Sequence, residues 1–129
     1  MRIVADTSIF LAVALNDPEK PRIVRMTTGH ELVAPAVLPF EIGNALTTML
    51  KKGAIQAVQV PVAWNAVQAI PVDLRDLDIL AALSLAVRFS LYACDAYFLE
   101  CALSCRLPLL TLDLSLQHLA RELGIPIVE

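Results

Sequence analysis

Residues 2–8 read Arg2-Ile3-Val4-Ala5-Asp6-Thr7-Ser8, and a second apolar run, Ile9 to Leu15, follows at once. The first run is short and uninterrupted, the pattern of a strand buried on both faces. Asp6 ends it, and Thr7 and Ser8 are residue types that open helices. The helix predicted from them closes at the turn Asn16-Asp17-Pro18. A strand that runs straight into a helix is half of a parallel βαβ unit.

The same order recurs along the chain. Strands are predicted at Arg2–Asp6, Glu31–Ala34, Ile70–Leu74, Leu109–Leu112 and Ile125–Val128. Between them, helices are predicted near Pro21–Thr28, Val37–Lys52 and Ala54–Ala69, the last kinked at Pro61. Further helices are expected over Asp76–Phe89, from Tyr92-Ala93-Cys94-Asp95 to about Arg106, and over Ser115–Leu123. Gly53 and Gly124 sit where helix C-caps are wanted. The expected fold is α/β with a central parallel sheet and right-handed crossovers. At 129 residues, with no linker, repeat or low-complexity segment, the chain reads as one domain, 1–129.

Hydrophobic residues make up 57% of the chain and mean hydropathy is +0.66, above the roughly 45–50% apolar content usual in soluble domains. This suits a sheet covered on both faces and leaves apolar surface for a partner. A membrane helix needs about 20 apolar residues; the richest stretch, Ile79–Val87, is broken by Ser84 and followed by Arg88. Ala12-Val13-Ala14 mimics a signal-peptidase site, but Asp6 precedes a minimal apolar run. A soluble, cytoplasmic protein is expected.

The net charge of −3 argues against a protein that coats nucleic acid through a strongly basic face. It leaves open an enzyme whose own acidic site supplies the negative charge. Arg22, Arg25, Lys51, Lys52, Arg75, Arg88 and Arg106 are candidate phosphate contacts or ordinary solvated charges. Cys94, Cys101 and Cys105 fall in one predicted helix without a fourth ligand nearby, so they read as small buried hydrophobes rather than a zinc site.

Four acids, Asp6, Glu41, Asp95 and Asp113, stand at strand exits or in early helical turns. Asp6 and Asp113 each serve equally as N-caps, and Asp95 as a first-turn acid favoured by the helix dipole. Glu41 is different, because its helical neighbours Val37, Leu38 and Ala45 are apolar. A carboxylate on that stripe is costly unless paired or bound to metal. Strand exits of a parallel sheet converge on one crevice. Several carboxylates gathered there repel one another unless a cation compensates them, which points to a hard divalent metal and phosphodiester chemistry.

Other chemistries lack their residues. Glycine occurs only at positions 29, 43, 53 and 124, so no phosphate loop or dinucleotide fingerprint exists, and there is no G-x-S-x-G or H-E-x-x-H. His30 and His118 read as surface residues. Trp64 reads as core or interface. A haloacid-dehalogenase-like phosphatase needs a second Asp where this chain has Ser8.

Ile3-Val4-Ala5-Asp6-Thr7-Ser8, Phe40-Glu41-Ile42-Gly43-Asn44-Ala45-Leu46, Asp95-Ala96-Tyr97-Phe98-Leu99 and Leu110-Thr111-Leu112-Asp113 together resemble a PIN domain of the VapC-type ribonuclease toxins. The resemblance spans essentially the whole chain. It implies a three-layer α/β/α sandwich and an acidic pocket for Mg²⁺ or Mn²⁺ formed by Asp6, Glu41, Asp95 and Asp113, with Ser8 and Thr111 as auxiliary hydroxyls. It also implies RNA cleavage, a homodimer and a cognate antitoxin, for which Val58, Val60, Val62 and Trp64 are the candidate surface. The chain departs from the family in its few basic residues and in Leu116, where some relatives carry a polar residue. A non-catalytic PIN-like module that binds RNA or protein is the alternative.

Overall fold

Ile3, Val4 and Ala5 have no solvent exposure, although successive residues of a strand point to opposite faces. The first strand, β1 (Arg2–Ala5), is therefore covered on both sides. In the computed structural model, which describes residues 1–129, it lies inside a four-stranded parallel sheet. The other strands are β2 (Glu31–Pro35), β3 (Asp73–Arg75) and β4 (Leu109–Leu110), in the order β3-β2-β1-β4. Arg2 to Val4 pair with Glu31 to Val33, and Val4 and Ala5 pair with Leu109 and Leu110. A parallel bridge from Leu109 to Ile127 extends the sheet beyond β4.

Seven helices flank this sheet: α1 (Thr7–Ala14), α2 (Lys20–Thr27), α3 (Leu38–Lys51), α4 (Gln59–Gln68), α5 (Ile79–Phe89), α6 (Ala93–Cys105) and α7 (Leu114–Glu122). Helix α1 packs against α2, α3 and α4, whereas α5 packs on α6, and α6 lies on β1 and β2. The result is the expected α/β/α sandwich with a central parallel sheet. Its core is one cluster in which Phe10, Ile23, Leu38, Ile42 and Leu99 are among the largest fully enclosed side chains.

Several element boundaries differ from the sequence expectation. Helix α4 begins at Gln59, not Ala54, so Pro61 falls in its first turn rather than in its interior. Its missing N–H would have had no intrahelical partner there. Strand β3 begins at Asp73 rather than Ile70. Helix α5 begins at Ile79, because Asp78 caps it by accepting from the Ala81 N–H at 3.0 Å; Asp76 thus precedes the helix. Helix α6 begins at Ala93, within the Tyr92-Ala93-Cys94-Asp95 segment expected to lead into it. β4 ends at Leu110, and the predicted final strand is reduced to the Ile127 bridge.

No single helix is long and apolar enough to cross a membrane; α5 and α6 reach that composition only as a pair bent by 117°. Replacing Ile3 by Ala should lower unfolding free energy by about 2–5 kcal/mol in urea denaturation, whereas Val87→Ser on the exposed side of α5 should stay within about 0.5 kcal/mol.

Candidate active site

Strand β1 sends its chain to one side through β2 and β3, while β4 lies on its other side. Such a switch in direction opens a crevice beyond the strand ends. Asp6, directly after β1, and Asp113, shortly after β4, border that crevice as the N-caps of α1 and α7. Both capping expectations hold, and both side chains also line a cavity of about 420 Å³. Glu41, from the first turn of α3, and Asp95, from the first turn of α6, line the same cavity. All four acids singled out in the sequence thus meet around one space.

Asp6 is the enclosed member, only 7% exposed. One of its oxygens accepts from the Ser8 backbone N–H at 3.1 Å and the Ser8 hydroxyl at 2.5 Å. The other accepts from the Thr111 hydroxyl at 2.5 Å. Each hydroxyl is itself an acceptor: Ser8 Oγ from the Leu112 N–H and Thr111 Oγ1 from the Asp113 N–H, both at 3.1 Å. The turns after β1 and β4 are thereby tied together through a single carboxylate. Gln117 Nε2 donates to the Thr111 carbonyl at 2.8 Å and fixes the second turn.

The electrostatics divide the four acids. Burial pushes the Asp6 carboxyl above its ordinary range, against the pull of its hydrogen bonds to Ser8 and Thr111. Glu41 is raised by burial and then by the charge of Asp95, and Asp95 by burial and then by the charge of Asp113. Asp113 is lowered, chiefly because Ser115 Oγ donates to it at 2.7 Å. None of the four takes part in any of the chain's ion pairs. Repulsion acts from Asp113 on Asp95 and from Asp95 on Glu41, with no ion pair to absorb it.

The donor set is almost wholly oxygen, which suits Mg²⁺ or Mn²⁺. As the side chains stand, no three converge to hold one ion together. Mg²⁺ retains several waters and needs only one or two direct carboxylates, so the chemistry of the set still fits such an ion.

Asn44, Ala45, Thr48 and Met49 complete the α3 wall, with Phe98 and Cys94 on α6. Their signal in the sequence was helical spacing: Asn44, Ala45, Thr48 and Met49 follow Glu41 by three, four, seven and eight residues. Cys94 departs from the expectation of a buried hydrophobe, because it is half-buried and faces the acids. Burial, then Asp95 and Glu41, hold its thiol in the protonated form. Cys101 does fit that expectation, its thiol pushed up to about 12. His118 is a surface residue as expected, whereas His30 keeps a buried Nδ1 without a partner.

Volume alone favours another depression of about 560 Å³, between the start of β2 and the segment leading into β3. Its acids, Glu31 and Asp73, are already paired with Arg2. Among the candidate phosphate contacts, Arg22 is paired with Glu19 and Arg75 with Asp73, and Arg88 lies over the Phe89 ring. Arg25, Lys51, Lys52 and Arg106 remain outside the ion pairs.

The family model described as PIN domain matches residues 3–122. The crystal structure of PAE2754 from Pyrobaculum aerophilum aligns with a TM-score of 0.65 at 22% identity, covering 96% of this chain and 98% of that one. At that identity the likeness is one of fold. No curated protein is matched.

A carboxylate raised in the folded state binds its proton more tightly there than in the unfolded chain. Asp6, Glu41 and Asp95 should therefore make metal-free protein lose stability as pH rises from their ordinary values, 3.8 for Asp and 4.5 for Glu, through the raised ones. Asp113 acts oppositely, its contribution being lost as pH falls below 3.8. Urea denaturation of Asp6→Asn across about pH 4–8 should show a shallower decline than wild type.

Proposed function

The chain belongs to the PIN domain family, and from that membership we propose that it is a metal-dependent endoribonuclease hydrolysing RNA phosphodiester bonds. The observation that carries the reading is the lining of one cavity by Asp6, Glu41, Asp95 and Asp113 with no basic side chain among its walls. A pure binding surface gains nothing from that repulsion, whereas a nuclease centre uses it.

Asp6, Glu41, Asp95 and Asp113 are the residues that would hold Mg²⁺ or Mn²⁺, directly or through water. When bound, such an ion neutralises phosphate charge and lowers the pKa of water toward neutrality. Ser8 and Thr111 keep the Asp6 carboxylate oriented, since their hydroxyls donate to its two oxygens. Asp113 is held ionised by Ser115 and the start of α7. Asn44 and Thr48 offer neutral hydrogen-bonding groups to a substrate on the α3 wall. No side chain is needed as nucleophile.

The same reading takes the chain as a single cytoplasmic domain, the toxin of a toxin–antitoxin pair, acting as a homodimer. Val58 and Val62 on the α4 side are 72% and 63% exposed and suit the dimer or antitoxin contact. Val60 and Trp64, assigned to that surface from the sequence, are partly buried against the core. The non-catalytic module remains the competing reading, favoured by the lack of three convergent ligands.

Addition of Mn²⁺ separates the two. The nuclease reading expects a higher Tm in wild type and a much smaller rise in Asp6→Asn and Asp95→Asn, with saturation at 100 times Kd worth about 2.7 kcal/mol. Purified protein should cleave an RNA panel in Mg²⁺ or Mn²⁺. EDTA should abolish cleavage, and Asp6→Asn should lower it by more than about a hundred-fold, beyond the usual effect of outer ligand-supporting groups. A folded wild type that neither gains stability with Mn²⁺ nor cleaves would establish the non-catalytic module.

A further inference from the structure

The two edges of the sheet end differently. Beyond β4 the chain's own C-terminal segment covers the edge. There the Leu109 N–H donates to the Pro126 carbonyl at 2.9 Å, and the Leu109 carbonyl accepts from the Val128 N–H at 3.0 Å. Beyond β3 no strand follows, and all three of its residues are exposed. Successive residues of a parallel strand turn their backbone groups to opposite neighbours. The Arg75 carbonyl accepts from the Ala36 N–H at 2.8 Å, on the β2 side. Asp73 and Arg75 therefore address β2, and Leu74 turns both its N–H and its carbonyl outward. A residue with both groups free on an open edge is half of the hydrogen-bonded pair of an antiparallel ladder.

The two faces of β3 differ in chemistry. Leu74, 43% exposed, lines an apolar depression of about 300 Å³ with Leu38, Pro39, Ile42 and Val67. Asp73 and Arg75 alternate with it and so belong to the opposite face. There Asp73 pairs with Arg75 at 3.1 Å and also with Arg2. Asp73-Leu74-Arg75 is thus a charge palindrome centred on the residue whose backbone is free. If two copies pair antiparallel about Leu74, Asp73 stands opposite the second copy's Arg75, and Arg75 opposite its Asp73. Opposite charges placed directly across a ladder attract. On the other face, the second copy's Leu74 comes to the mouth of the apolar depression. A peptide of arbitrary sequence would satisfy the backbone alone, whereas this chain satisfies the backbone and both faces.

Resting on the homodimer reading, we propose that two copies of this chain join edge to edge through β3, antiparallel about Leu74. The two four-stranded sheets then continue into one another across a two-fold axis. The contact is independent of the metal chemistry, and it does not use Val58 or Val62 on the α4 side.

Sedimentation equilibrium over a concentration series reads the dimer Kd of wild type and of two charge variants. Asp73→Arg and Arg75→Asp each set like charges opposite one another and should raise Kd roughly ten-fold. An equimolar mixture of the two variants should associate as wild type does, because opposite charges then face each other again. Damage to the fold of either variant cannot produce that recovery. Val58→Ser combined with Val62→Ser should leave Kd unchanged. A dimer that ignores both charge changes, or a mixture as weak as its components, would overturn the β3 contact while the homodimer reading stands. Loss of the dimer in the double valine variant alone would move the contact to α4 and overturn it likewise. A wild type that stays monomeric at every concentration would remove the homodimer reading and the β3 contact together, and would leave the edge to a different polypeptide.

Discussion

The Asp6 carboxylate is the constraint on which the arrangement of the site turns. It is a potential charge enclosed between the ends of β1 and β4, and an enclosed charge without partners would be strongly destabilising. Its partners come from both strand exits: Ser8 from the turn after β1 and Thr111 from the turn after β4. Because those hydroxyls also accept from Leu112 and Asp113 backbone N–H groups, the two turns cannot move independently. The backbone adds the Asp6 N–H to the Leu110 carbonyl at 3.2 Å. The crevice at the switch in strand order is therefore a fixed feature, and α1 and α7 start from anchored points on either side of it.

Burial and repulsion then act against this support, and their balance differs at each acid. Asp6 has its donors and remains raised, so desolvation is the larger effect there. Asp95 and Glu41 lack such donors and are raised by burial and by a neighbour's charge. Asp113 is the most open to solvent and best capped, so it alone is lowered. The ion pairs elsewhere, such as Arg2 with Glu31 and Asp73, are partly solvated, and pairs of that kind typically contribute under about 1 kcal/mol. The protein thus places its electrostatic strain where its ion pairs cannot relieve it.

The strands and acids were readable because their signals are local. Ile3-Val4-Ala5 is apolar on both faces, Asp6, Asp95 and Asp113 each sit at an element boundary, and Glu41 stands on an apolar helical stripe. What failed to read were features decided by neighbours. Gln56 through Val58 are helix-compatible, yet the Gln59 side chain accepts from the Gln56 N–H at 2.7 Å and the helix starts only there. Ile70 to Val72 look like strand, but Pro71 lacks a ladder donor and pairing begins at Asp73. The C-terminal Ile125–Val128 has strand composition, but only Ile127 registers against Leu109. Cys94 adjoins Asp95 in the first turn of α6 and lines the acid cavity, a neighbourhood that its apolar helical setting did not show.

Charge and apolar surface finally bear on one another. The chain has ten Lys and Arg against thirteen Asp and Glu, and four of those acids surround the cavity. If cations compensate the four, the remaining charges are close to balance, so no broad positive field would attract RNA. Affinity gained by displacing counterions scales with the number of phosphates neutralised, and free cations near the cavity are few. A nucleic-acid substrate would then depend on contacts other than charge. Exposed Leu80, Leu83 and Val87 on α5 are aliphatic and offer bases little beyond area. The exposed aliphatic face of α5 and the acid-lined cavity are thus chemically distinct surfaces of one small domain.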